Sequence, residues 1–179
     1  MLDTPTDTAA AKRALVRTYN PPAYADPWDC VEDFERVQRE AAKHPNKGSA
    51  ALASVVELPR GRIRPWMEGA RPDCYRGLQT ALSHDWLIES WDSDTARALN
   101  ELAAWVCASG SIDGVFAPYF VVEPALEDWF QQVAADANLS VRRTREDPDR
   151  PPEWTLTEHQ TVFGRVLHTW TGLQGDKSE

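Results

Sequence analysis

One short segment of this sequence is rich in arginine, and its side chains are candidates for binding a partner. These arginines are Arg60, Arg62, Arg64, Arg71 and Arg76. Between the first and the last of them, only Glu68 and Asp73 carry negative charge. A guanidinium group donates paired hydrogen bonds to a guanine edge or to a phosphate. We therefore expect this segment to contact double-stranded DNA, the alternative being a small helical domain whose arginines are only solvated.

The position of this basic patch is informative because the rest of the chain is acidic. Residues 44–91 carry six basic and five acidic side chains, whereas residues 92–179 carry seven and fifteen. Phosphate neutralisation dominates DNA affinity, so the pI of 4.9 argues against DNA binding everywhere except at such a patch. Fifteen arginines against four lysines, together with the many acids, resemble the composition of haloarchaeal proteins.

Several other kinds of site are not favoured by the sequence. Cys30, Cys74 and Cys107 lie far apart and in no CxxC or Cys/His spacing, so they are interpreted as buried thiols rather than disulfide partners or zinc ligands. No apolar run approaches the roughly 20 residues that cross a bilayer, and residues 1–11 lack the features of a secretion signal. We expect a cytoplasmic protein with no membrane partner, no metal and no cofactor.

Two short helices joined by a turn are predicted around the arginines. In SAALASVVELPRGRIRPWMEG, helices are expected at residues 49–56 and 60–67, and Ala53 lets the two helices cross closely. Ile63 and Trp66 are expected to anchor the second helix to the interior. This pattern resembles the helix-turn-helix family over about twenty residues.

Two residues depart from the pattern of that family. Glu57 stands where glycine is common, and Pro65 lies inside the second helix. An interior proline costs about 3 kcal/mol and forfeits a backbone hydrogen bond, so we expect the second helix to be short or kinked.

The second helix has a predicted DNA-reading face. At about 100° per residue, the inward positions of Ile63 and Trp66 leave Gly61, Arg64 and Glu68 on the outward side. The resemblance implies that this face enters the major groove, where Arg64 suits a guanine edge and the flanking arginines suit phosphates. The residues expected to contact DNA in this region are Arg60, Gly61, Arg62, Arg64, Glu68 and Arg71.

A second motif, LAAWVCASGSI, occupies residues 102–112. It resembles the LAGLIDADG homing-endonuclease motif, and the matching residues are Leu102, Ala103, Gly110, Ser111 and Ile112. The order of predicted helices and strands extends this resemblance over residues 95–170 and implies the αββαββα domain of the family. The expected fold class is therefore α+β, with an N-terminal helical helix-turn-helix domain followed by a LAGLIDADG-like αββαββα domain.

The remaining elements follow from hydrophobic periodicity and capping signals. Asp29 is expected to cap a helix that ends at residues 44–48, and a long helix is expected at residues 95–108. Strands are expected at residues 115–122, 139–144 and 154–156. The expected domain limits are 29–91 and 92–171, with a loosely ordered segment at 1–28 and a disordered tail at 172–179.

The LAGLIDADG resemblance also implies that hydrolysis has been lost. In that family an acidic residue at the foot of the motif helix binds Mg²⁺, but Ser109 and Cys107 stand at the two acidic positions here. Asp113 follows the helix and is interpreted as a turn residue. A Mg²⁺-dependent endonuclease that uses Asp113 or Glu101 is one alternative, and a protein-interaction module on the same fold is another.

One predicted strand adds candidate DNA contacts. The alternation of VRRTR places Arg143 and Arg145 on one face, and Arg142 and Thr144 on the other. A basic strand face suits phosphate, so Arg143 and Arg145 are included among the expected DNA-binding residues. The alternative is that these arginines pair with the acidic side chains of residues 146–149.

A homodimer is expected through the helix at residues 95–108. A single LAGLIDADG copy supplies one of the two helices that the family packs together, so its apolar stripe would otherwise lack a partner. Ala103, Ala104 and Ala108 allow close approach, and a two-fold dimer implies a palindromic DNA site. The alternative is a monomer in which residues 1–43 cover the stripe.

Overall fold

The computed structural model describes residues 8–145 and 151–175, which fall into two compact units. The helical unit is Val16–Leu78, and the sheet unit is Met1–Leu15 together with Gln79–Glu179. The chain is an α+β protein, with an N-terminal helical region followed by a four-stranded antiparallel sheet and interspersed helices. The domain limits expected from the sequence, 29–91 and 92–171, stay a prediction. Among the described residues, no helix is both long and apolar enough to cross a membrane.

The first five helices of the described chain are α1 (Thr8–Arg17), α2 (Pro27–Lys43), α3 (Ser49–Val56), α4 (Arg60–Met67) and α5 (Asp73–Ser83). The helices expected at residues 49–56 and 60–67 are confirmed at both ends. The expected cap of α2 is wrong, because Asp26 rather than Asp29 accepts the hydrogen bond of the Trp28 N–H, at 3.0 Å. Pro27 lacks an N–H and has a φ suited to the first turn, so the helix begins before Asp29.

The sheet unit repeats a helix-strand-strand pattern and ends in a helix. Its four strands pair antiparallel, and their order across the sheet is 110–112, 118–121, 153–156 and 141–145. Ser93 caps the first helix of this pattern by accepting a hydrogen bond from the Ala96 N–H at 3.0 Å. The elements in chain order are α6 (Asp94–Ser109), β1 (Gly110–Ile112), β2 (Pro118–Val121), α7 (Glu127–Asp136), β3 (Val141–Arg145), β4 (Glu153–Leu156) and α8 (Gln160–Thr171).

Strand β1 is missing from the sequence-based expectation, which placed one strand at residues 115–122. In the structure β1 pairs with residues 118–120 to form a hairpin. A three-residue strand is too short to show an alternating pattern. Its pairing depends on Gly110, since a Cβ there would lie 2.5 Å from the Tyr119 carbonyl oxygen. Tertiary packing, rather than local propensity, therefore selects this strand.

One face of the sheet is buried in an aromatic core. Phe120 of β2 pairs with Trp154 of β4, and the Phe130 ring centroid of α7 lies 5.3 Å and 5.7 Å from their respective ring centroids. Strand alternation places Tyr119 and Arg142 on the opposite face, where Tyr119 is half-buried and Arg142 is exposed. The sheet therefore has one apolar and one polar face, as antiparallel sheets commonly do.

The chain after α8 is anchored to the sheet at its start. The Gly175 N–H donates to the Ile112 carbonyl oxygen at 2.8 Å and forms an isolated bridge with β1. The segment predicted as a disordered tail therefore has a defined contact within residues 172–175. Residues 176–179 of that prediction lie outside the described residues.

Candidate nucleic-acid interface

Helices α3 and α4 pack on one apolar cluster in the helical unit. Val37 of α2, Val56 of α3 and Ile63 of α4 are buried in this cluster, and Ala53 and Trp66 pack against it. The inward positions expected for Ala53, Ile63 and Trp66 are confirmed. Because three helices share the cluster, the orientation of α4 is fixed from its inner side.

The turn between α3 and α4 spans residues 57–59 and contains a left-handed residue. Glu57 has φ 56° and ψ 37°, and the following N–H, that of Leu58, donates to the Ala53 carbonyl oxygen at 3.3 Å. An L-residue in this conformation costs about 1–2 kcal/mol, whereas glycine adopts it freely. Glycine is common at this position in the helix-turn-helix family. Glu57 differs from it in residue type but adopts a backbone conformation that glycine favours.

Pro65 removes one hydrogen bond from α4 without ending the helix. Its missing N–H would have bonded the carbonyl oxygen of Gly61, one turn earlier. The helix continues to Met67, and the Glu68 N–H donates to the Arg64 carbonyl oxygen at 3.1 Å. The expectation of a short helix is confirmed, since α4 has eight residues.

The outward side of α4 carries the predicted reading residues. Gly61, Arg64 and Glu68 are exposed, while Ile63 between them is buried. Arg64 Nε donates to Glu68 Oε1 at 2.8 Å, and the two side chains are 64% and 62% exposed. Arg71, in the turn after the helix, is also exposed. The geometry thus presents the predicted face to solvent, and its contact with DNA stays a prediction.

The two arginines that flank this face have different surroundings. The Arg62 guanidinium carbon lies 4.5 Å from the ring centroid of Tyr24, whose hydroxyl donates to Asp33 Oδ2 at 2.9 Å. Burial, followed by the hydrogen bond to Asp33, raises the pKa of Tyr24, so its hydroxyl stays protonated. Arg60 is exposed and donates from Nε to Ser49 Oγ at 3.3 Å. Arg62 is therefore an anchor of α4, whereas Arg60 is accessible to a phosphate.

Cys107 and Ser109, at the end of α6, occupy the two positions that the predicted LAGLIDADG resemblance would make acidic. Ser109 Oγ donates to the Val121 carbonyl oxygen at 3.2 Å, and Cys107 is exposed, so its interpretation as a buried thiol is wrong. Asp113 Oδ1 accepts the N–H groups of Val115 at 2.9 Å and Ala117 at 2.7 Å, which confirms its interpretation as a turn residue. In the described part of the chain, no three or more His, Cys, Asp or Glu side chains group together as a metal site would require.

The other two cysteines are buried together in the helical unit. Cys30 and Cys74 are hydrogen-bonded through their thiols, and this contact, together with burial, raises the pKa of Cys30. The Cys30 thiol is therefore protonated, as expected for a structural cysteine. Their distance in sequence explains why no spacing motif reveals the contact.

Strand β3 places its arginines in different environments. Arg143 forms an ion pair with Glu127 of α7, and its guanidinium carbon lies 5.4 Å from the ring centroid of Trp154. Arg142 lies on the opposite, solvent-facing side. The register shifts between Arg143 and Arg145, so simple alternation does not extend to Arg145. The Arg145 side chain and the acids of residues 146–149 lie outside the described residues, and DNA contact by Arg143 and Arg145 stays a prediction.

The helix face expected to form a dimer is partly used inside the sheet unit. Ala103 is buried in the core with Leu99 and Leu102, so it cannot face a second copy. Ala104 and Ala108 are exposed. These two small side chains leave one side of α6 open to the close approach of another helix.

No protein-family model, curated protein or solved structure matches this chain.

Proposed function

We propose that this chain is a sequence-specific DNA-binding protein, of the kind that regulates transcription, and that α4 reads the major groove. The observation that supports this most is the outward side of α4, where Gly61 and Arg64 are exposed while Ile63 between them is buried as the anchor. A recognition helix needs this combination, because its inner side must be rigid while its outer side offers hydrogen-bond donors.

On DNA, Arg64 exchanges its contact with Glu68 for two hydrogen bonds to the O6 and N7 atoms of a guanine. An exposed ion pair contributes only about 0–1 kcal/mol, so breaking this one costs little. The freed Glu68 carboxylate is then placed to accept a hydrogen bond from the amino group of a cytosine. The pair therefore supplies both a donor and an acceptor for base reading.

Gly61 lets the backbone of α4 approach the groove. A Cβ at Gly61 would have nothing within 4 Å, so this part of the helix surface is open. Recognition helices contact base edges mainly with their N-terminal residues, and Gly61 is the second residue of α4. The exposed cations beside it, Arg60 and Arg71, take phosphate oxygens and set the position of the helix.

In this proposal the sheet unit is a LAGLIDADG-like domain that joins two copies and does not cut DNA. The order α6-β1-β2-α7-β3-β4-α8 follows the αββαββα plan of that family, and Ala104 and Ala108 are exposed for helix pairing. A two-fold pairing through α6 presents two copies of α4 and suits a palindromic site. The carboxylate of Asp113 is engaged in the β1–β2 turn, which argues against the endonuclease.

The test begins with selection of bound sequences from random DNA duplexes by the full chain. Affinity is then measured for the enriched duplex and for a scrambled duplex of the same composition. The proposal predicts a two-fold symmetric sequence that binds about 10³-fold or more tightly than the scrambled duplex. Failure to enrich any sequence would overturn the proposal.

The same duplexes distinguish a regulator from a nuclease. With Mg²⁺ or Mn²⁺ added, the bound duplex is expected to stay intact, since Ser109 offers no charged oxygen to a divalent ion. Cleavage that requires the divalent ion and disappears in Asp113→Ala would support the endonuclease instead.

A further inference from the structure

An open groove of about 400 Å³ lies in the sheet unit beside α6, β2 and the start of α7. This tryptophan groove is formed largely by Ala104, Trp105, Ala108, Leu126 and Trp129. Its volume falls within the range of roughly 300–1,000 Å³ found for small-molecule sites. The groove is separate from the residues of α4 to which DNA reading is assigned.

Two stacked indole rings make the groove a preformed aromatic platform. The ring centroids of Trp105 and Trp129 are 5.2 Å apart, with an interplanar angle of 25°. Trp105 Nε1 donates to the Val121 carbonyl oxygen at 3.0 Å, which fixes the inner ring. Trp129 remains 48% exposed, so much of the outer ring is available to a ligand.

The charges that line the groove are negative. Glu101 and Glu123 contribute the charged side chains, and in the described part of the chain neither carboxylate has an ion-pair partner. An electron-rich indole face and a nearby carboxylate both attract positive charge. A cation in the groove is attracted by both carboxylates, whereas an anion is repelled by them.

We propose that the tryptophan groove binds a small organic cation with a flat aromatic body. The flat body stacks on Trp129, while the positive charge lies near Glu101 and Glu123. The groove shares Ala104 and Ala108 with the side of α6 assigned to dimerisation, so the cation and a second copy compete for these residues. Binding of the cation itself does not depend on the proposed DNA-binding function.

The test compares three ligands of matched shape on the full chain. The probe is the cation 1-methylquinolinium, its neutral isostere is 1-methylnaphthalene, and its anionic counterpart is 1-naphthoate. We expect the cation to quench tryptophan fluorescence saturably with one site per chain in calorimetry, and to bind about tenfold more tightly than the neutral isostere. No saturable binding, or equal affinity for all three ligands, would overturn the proposal.

Two groove variants and two matched controls locate the site. Trp129→Ala and Glu101→Gln should each weaken binding of the cation by about tenfold. Trp91→Ala removes a tryptophan that is 45% exposed outside the groove, and Glu158→Gln removes an exposed carboxylate elsewhere, so both should bind like the wild type. Wild-type affinity in Trp129→Ala would place the ligand at another site and overturn the proposal.

A second copy of the chain is the main competing occupant of the groove. Sedimentation with and without 1-methylquinolinium distinguishes a groove that binds the cation from a groove that is occupied only by a second copy. We expect the cation to lower the dimer fraction. If Trp129→Ala abolishes the dimer while the cation leaves it unchanged, the groove belongs to the second copy and the proposal fails. DNA binding is measured separately, in the absence of the cation. Its outcome therefore does not decide whether the tryptophan groove binds the cation.

Discussion

The helical unit and the sheet unit each carry three arginines in a short stretch, yet these arginines have different surroundings. On α4, Arg60 is exposed, and Arg64 pairs with Glu68, which is itself exposed. On β3, Arg143 is paired with Glu127 beside Trp154. The two periods explain part of this difference. Residues two apart lie about 200° apart on a helix, so Arg62 turns away from Arg60 and Arg64. Arg142 and Arg143, in contrast, are neighbours on a strand and lie on opposite faces.

The number of charged residues in a short stretch of sequence is therefore a poor measure of how many of those charges can bind a partner in the folded protein. The sheet unit holds most of the acidic surplus of the chain, and one of its carboxylates, Glu127, already compensates Arg143. The helical unit keeps its cations on a short helix whose inner side is buried at Ile63. Anionic partners are therefore expected at α4, and cationic ones at the tryptophan groove.

The largest expected effect concerns the core behind α4. Ile63→Ala removes a fully buried side chain and should lower the free energy of unfolding by about 2–5 kcal/mol, with loss of DNA binding at temperatures where the wild type binds. Val55→Ala, at an exposed position of α3, is the matched control and should change stability little. Urea unfolding of both variants measures this. A stable Ile63→Ala that still binds DNA would show that α4 is not positioned by this cluster.

The next effect concerns the sheet unit as the dimer contact. In a two-fold pair, Ala104→Arg places two like charges face to face, so association should weaken by tenfold or more, on the order of 1.4 kcal/mol or greater. Light scattering over a concentration series measures it. Arg97→Ala, about two turns away on α6, is the comparison variant and should change association less. A monomeric wild type, or a variant that dimerises unchanged, would remove α6 as the interface.

The arginine of the sheet unit should affect stability. Arg143→Ala leaves the largely buried Glu127 carboxylate without its cation and should destabilise the sheet unit by about 1–2 kcal/mol, allowing for the partial exposure of the arginine. Arg142→Ala, on the solvent side of the same strand, should have little effect on unfolding. Equal effects of the two variants would contradict the placement of Arg143 against α7.

Much of the helical unit is predictable from sequence, while the sheet unit is less so. The bounds of α3 and α4 follow from local signals, namely the apolar spacing and the Leu58-Pro59 break. The sequence DPWD offers Asp26 and Asp29 as caps, and Pro27, which suits the first position of a helix, is the local signal that favours Asp26. The contact of Arg62 with Tyr24 and the pairing of strand Gly110–Ile112 depend on tertiary packing. Patterns of neighbouring residues in the sequence therefore do not reveal them.

A smaller effect is expected at the turn that orients α4. Glu57→Gly relieves a left-handed residue and should raise the free energy of unfolding by about 1 kcal/mol, with unchanged DNA affinity. Glu57→Ala keeps the strain and removes only the charge, so it serves as the control. Thermal unfolding of the two variants measures the difference. Equal stability of the glycine and alanine variants would show that the turn is not strained.

The most direct test of the central claim is the affinity of Arg64→Ala for the enriched duplex and for the scrambled one, measured beside Arg60→Ala. If α4 reads bases through Arg64, its loss should cost about 1–3 kcal/mol on the enriched duplex and little on the scrambled one. Arg60→Ala removes the proposed phosphate contact, together with the exposed hydrogen bond to Ser49, and should weaken both duplexes alike. Equal losses on both duplexes in both variants would contradict base reading by this side of α4.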